Sequence, residues 1–206
     1  MNPKQFVSII DLVLHWVTSL ALINVLWFLF TLRGLVIGGV FPATTAVLGV
    51  SRKMILKGTD VNVWKTFNRV YREEYLQSNV LGWFLSGIGG LLYINYKIIA
   101  NSAGEIAIIT LFAFYLVLFF YSIIVLWSFP LLAHYKSTWI QHLKNAFIIG
   151  FTKVHYTFAI GLMAFTVMYF SFEYPGLVPF FSISMIATGG MWFSLQIFTK
   201  IDQDAT

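Results

Sequence analysis

Residues 106–132 read IAIITLFAFYLVLFFYSIIVLWSFPLL, 27 residues without a single charge. As an α-helix rising 1.5 Å per residue this stretch is ~40 Å long, more than the ~30 Å hydrocarbon core of a bilayer. Its apolar residues show no one-sided stripe, as expected of a helix surrounded by lipid or protein on every face. The whole chain follows suit. Hydrophobic residues make up 59%, charged residues 10%, and the mean hydropathy is +0.81. Too little polar surface remains to cover a water-soluble domain of 206 residues. The composition predicts an all-α, polytopic bundle forming a single transmembrane domain over 1–206.

Working outward from that segment, five further spans are expected, near 12–32, 35–51, 76–95, 152–172 and 177–198. Residues 12–32 are too long for a secretory h-region, and no A-x-A site follows, so they read as a retained anchor. The second span is short, and Pro42 predicts a kink within it. A re-entrant or interfacial course is the alternative for that segment. Between the second and third spans lies the one long polar stretch. There Val61, Trp64, Phe67, Tyr71 and Tyr75 recur at helical spacing, with Lys65, Arg69 and Arg72 on other faces. This predicts an amphipathic helix near 61–75 on the membrane surface, its aromatic side among headgroups and its cations in water.

The net charge of +5 is a topology signal, since the cations flank apolar runs and form no dense patch for nucleic acid. With six crossings and both termini in the cytoplasm, eleven Lys and Arg lie inside, leaving only Arg33 and Lys97 outside. The expected location is the bacterial cytoplasmic membrane, with lipid as the surrounding partner.

Reactive constellations are sparse. The chain has no cysteine, which excludes disulfides and thiolate chemistry. Its acidic residues sit at span ends or in loops, away from the midplane where ion-coupled carriers hold them. No zinc-protease, nucleophile-elbow or phosphate-loop motif is present. The expectation is a non-enzyme with no cofactor and no metal. His134 and His142 have no carboxylate nearby in sequence and read as interfacial histidines in a basic loop. Asn24 is the most deeply placed strongly polar side chain. It suits an interhelical hydrogen bond, or contact with a sugar hydroxyl or partner helix. The densest unusual segment holds Gly38, Gly39, Pro42, Ala43, Thr44 and Thr45, either an ordinary helix entry or a hinge. Trp64, Phe67, Arg69, Tyr71 and Arg72 are the candidate contacts for a cytoplasmic partner.

Asn24-Val25-Leu26-Trp27, then Gly39-Val40-Phe41-Pro42-Ala43-Thr44-Thr45-Ala46 and Arg52-Lys53, resemble the N-terminal signature of the YesL-like family of bacterial membrane proteins. Ser78-Asn79-Val80-Leu81-Gly82 and Leu143-Lys144-Asn145-Ala146 resemble its later landmarks. That family is catalogued as a domain of unknown function, often encoded beside ABC importers for oligosaccharides. The resemblance implies an accessory membrane subunit, with importer permeases and their ATPase as partners and an oligosaccharide as cargo. A self-contained facilitator of a neutral solute and a membrane-bound regulator are the rival readings.

Overall fold

The computed structural model describes residues 3–58, 61–102 and 108–204, and all the regular structure among them is helical. In chain order the helices are α1 (Pro3–Arg33), α2 (Val40–Lys57), α3 (Val63–Glu73), α4 (Tyr75–Asn101), α5 (Ile108–His134), α6 (Trp139–Thr152), α7 (Val154–Glu173) and α8 (Ile183–Asp204). A 3₁₀ turn, Pro175–Leu177, and a π turn, Val178–Ser182, join the last two.

Ile9–Arg33, Ile108–His134, Val154–Glu173 and Pro175–Asp204 are long and apolar enough to cross a membrane. Their outward faces carry large apolar side chains in quantity, among them Phe112, Phe158, Leu162, Phe165 and Phe172. A surface of that kind is stable against lipid and not against water. α4 runs antiparallel along α5: Tyr121 Oη donates to the Leu85 carbonyl at 3.0 Å, and further along Tyr93 and Tyr96 face Phe114 and Tyr115. α4 therefore occupies the same depth as α5.

The core is α2. Pro42, Ala43 and every residue from Thr45 to Ser51 are buried, and the helix touches α1, α3, α4, α5 and α8. Ala43, Thr45, Ala46, Gly49 and Ser51 leave little side chain between backbones, so five neighbours can approach at once. Such a helix needs no lipid-spanning length, because its apolar surroundings are protein.

The contacts of α2 bear on whether its segment crosses. At its start, Phe41 stacks on Phe129 with ring centroids 6.1 Å apart and covers Gly82 of α4. Three turns later, Arg52 donates to the Ala133 and His134 carbonyls, both at 3.0 Å. Both parts of α2 thus meet the same end of the α4–α5 pair. The ends of a crossing helix would be separated by ~30 Å of hydrocarbon. Within the expected segment 35–51, residues 40–51 belong to the core helix α2 and residues 35–39 to the turn before it. Were α2 not to cross, five crossings with the N-terminus outside would exchange Arg33 for Lys4, and the count would stay eleven against two.

The aromatic side of α3 is divided: Phe67 and Tyr71 face protein, while Trp64 stays exposed. Phe67 and Tyr71 pack on Phe30 of α1, with centroids 4.9 Å apart in each pair. The polar break after His134 also holds more order than expected. Thr138 caps α6 by accepting from the Gln141 N–H. Trp127 Nε1 donates to Thr157 Oγ1, which donates to the Gly150 carbonyl, each at 2.9 Å. These bonds occupy polar groups at the α6–α7 corner that a continuous helix would have satisfied internally.

Candidate functional site

The expected signature residues gather where α1 gives way to α2. α1 ends in a Schellman arrangement, with the Val36 N–H donating to the Thr31 carbonyl and the Leu35 N–H to the Leu32 carbonyl, both at 2.9 Å. The position that normally takes glycine is Leu35, at φ 54°, followed by Val36 at φ 65°. Both side chains are in the left-handed region, which costs roughly 1 kcal/mol or more per non-glycine residue. Gly39 is required for space: a Cβ there would collide with the Phe30 and Thr31 carbonyls. Gly38 lies against Tyr75, and its carbonyl accepts from Asn79 Nδ2 at 3.1 Å.

Pro42 stands in the first turn of α2, where its missing N–H is least costly. Thr44 Oγ1 donates to the Val40 carbonyl at 2.8 Å and accepts from Trp27 Nε1 at 3.1 Å. Thr45 Oγ1 donates to the Phe41 carbonyl at 3.1 Å and accepts from Ser78 Oγ at 2.8 Å. Ala43 beside them is wholly buried. The signature is a packed junction of α1, α2 and α4.

Asn24 is fully buried, and its partners are backbone groups 154 to 160 residues away. Nδ2 donates to the Val178 carbonyl at 2.9 Å, while Oδ1 accepts from the Ile183 and Ser184 N–H groups, each at 3.1 Å. The π turn containing Pro179 interrupts regular bonding there, and Asn24 supplies the replacements that irregular backbone inside a membrane requires. No sugar hydroxyl could reach this side chain as it stands.

Of the candidate partner contacts on α3, the structure separates two kinds. Trp64, Arg69 and Arg72 are exposed. Phe67 is 0% and Tyr71 6% exposed, the latter donating to the Phe30 carbonyl at 3.2 Å, so neither can meet a partner. They anchor α3 instead.

A polar junction that sequence reasoning missed lies where α2, α3, α5 and α8 end near one another. Lys136 pairs with the buried Glu74 and, at 3.6 Å, with Glu73. The hydrogen bond to Glu74 holds the Lys136 ammonium above its ordinary pKa. Asp202 accepts from Tyr135 Oη at 2.9 Å and lies 3.3 Å from His134 Nε2. Burial foremost, then Asp202, pushes the Tyr135 phenol up. His142 departs most from expectation. It is wholly buried, with no hydrogen-bond partner for either ring nitrogen. Burial pulls its pKa below the ordinary imidazole range, opposed by the charge of Glu74. Its place within the apolar helix WIQHLKNAF offered the only sequence signal.

Residues 20–96 match the family described as "Protein of unknown function, DUF624". An uncharacterized Bacillus subtilis protein, YteU, is 35% identical over 191 residues, which is 92% of this chain and 85% of YteU. The chain belongs to the YesL-like family. Two other uncharacterized B. subtilis proteins, YesV and YesL, are each 29% identical, over 90% and 91% of this chain and 89% and 88% of their own lengths. No solved structure matches the chain. The segment matched by the family description runs from the second half of α1 to the outer part of α4, so it contains the packed junction, the whole of α3 and Asn24.

Proposed function

We propose that this YesL-like protein is a non-catalytic accessory subunit of the bacterial cytoplasmic membrane, bound to the permeases and ATPase of an oligosaccharide ABC importer. The observation that carries the reading is the division of α3. One face is locked to α1 through Phe67 and Tyr71, with Trp64 at its edge, 5.8 Å from Phe30 and still 53% exposed, while Lys65, Arg69 and Arg72 stand exposed on the other side. Aromatic and arginine side chains on a rigid support suit protein contact, since little entropy is lost when they are buried. The importer as partner, and oligosaccharide as its cargo, rest on the family resemblance. The core supports a binding role, because α2 is packed by neighbours where a conducting protein needs a polar path.

The test is copurification of the tagged full chain from its native host membrane. Importer subunits should accompany the wild type and be depleted with a Trp64→Ala/Arg72→Ala variant. Recovery of the chain without importer subunits from an intact operon would refute the assignment. A facilitator, by contrast, would carry neutral solute in liposomes with no partner present.

A further inference from the structure

A cavity of about 220 Å³ opens at the polar junction, with Gly49, Arg52 and Lys53 of α2 on one side, Arg69 and Glu73 of α3 opposite, and Lys136 closing it. Gly49 leaves room at the floor beside Val70. Both carboxylates of the lining are engaged. Glu74 is held by Lys136, and Glu73 lies 3.6 Å from Lys136 and 3.9 Å from Arg69. The cations are in excess: four Lys and Arg line the cavity against two carboxylates. Arg52 uses Nη1 on two backbone carbonyls, and its Nε is buried with no partner. No ion pair or hydrogen bond engages Lys53 among the described residues. Burial foremost, then the neighbouring Arg69, Lys57 and Arg52, pulls its pKa down against the opposing charge of Glu73.

We propose that this cavity binds a phosphate oxyanion, with Lys53 and Arg69 as the principal contacts. Such an anion would relieve the crowding of Lys53, and charge-assisted bonds from Lys and Arg are the usual means of holding phosphate. The cavity sits where the apolar helices α4 and α5 give way to charged connections, the level of lipid headgroups. Two sources of the oxyanion fit that position, an anionic phospholipid headgroup or a free phosphate ion. The assignment is independent of the importer, since it concerns the isolated chain.

The experiment uses the purified full chain in nanodiscs of phosphatidylcholine, with or without phosphatidylglycerol, and inorganic phosphate as the soluble probe. Native mass spectrometry reads retained lipid, and equilibrium dialysis reads bound phosphate. A Lys53→Gln/Arg69→Gln variant should bind at least about tenfold more weakly, the loss expected for two charge-assisted hydrogen bonds. A Lys65→Gln/Arg72→Gln variant carries the same change in charge outside the cavity and should bind as wild type. Retained phosphatidylglycerol that phosphate displaces identifies the lipid as source, and phosphate binding alone identifies the free ion. Equal losses in the two variants, or no binding by wild type above neutral nanodiscs, would overturn the proposal. Matching circular dichroism spectra verify that the substitutions leave the helices intact.

Discussion

Asn79 Nδ2 donates to the Gly38 carbonyl at 3.1 Å, tying the second turn of α4 to the connection that follows α1. The bond places residues 34–39 on the same side of the molecule as the start of α4. Because the chain has no native cysteine, single introduced cysteines can report on this with an impermeant maleimide in intact cells. Leu35→Cys, at a position 84% exposed, should group with Lys57→Cys as protected, while Gly176→Cys should label. Labelling of Leu35→Cys together with Gly176→Cys would mean that α2 crosses after all.

Leu35 is also a place where the chain can be improved. It occupies the left-handed position of the Schellman turn and is almost fully solvent-accessible, so its side chain contributes little packing. Leu35→Gly removes the strain and should raise stability by about 1 kcal/mol, less the added entropy of the unfolded chain. Thermal unfolding in detergent measures it; a lower midpoint would show that Leu35 makes contacts with lipid that outweigh the backbone cost.

Gly82 lies directly beneath the Phe41 ring, where an added Cβ would overlap ring carbons. Gly82→Ala should therefore destabilise by about 1–3 kcal/mol, the usual range for an overpacked core. Gly90, two turns further along α4, has open space around it, and the same substitution there should be neutral or slightly stabilising. Equal effects at the two positions would contradict the packing of α2 against α4.

Asn24→Leu deletes three hydrogen bonds to the backbone around the π turn. At ~0.6 kcal/mol for each bond within a membrane, the expected loss is roughly 2 kcal/mol. Hydrogen exchange should rise at Ile183 and Ser184 before it rises elsewhere in α8. Uniform exchange along α8 would show that the turn holds itself without Asn24.

His142 sets a pH dependence. Its folded pKa lies below the unfolded value near 6.5, so the unfolded state binds the proton more readily. The contribution is complete above about pH 6.5 and is lost as pH falls from there through the depressed folded value. Acid unfolding followed between about pH 7 and pH 5 should show this slope, and His142→Leu should flatten it. An unchanged slope in that variant would assign the effect to another group.

The apolar runs alone determined that this chain is helical and membrane-embedded, because a helix buries its own backbone polar groups and 27 uncharged residues have no stable place in water. They also marked α3 as amphipathic and Asn24 as buried. What covers each face was left to tertiary structure. α2 and a lipid-facing span are written in the same apolar alphabet, and hydropathy cannot separate protein surroundings from lipid ones. The cation count could not separate them either, since exchanging Lys4 for Arg33 leaves the bias unchanged. The polar junction was illegible for a related reason: Arg52, Glu74, Lys136 and Asp202 are far apart in sequence, and only the packing of α3, α5 and α8 around α2 brings their charges together.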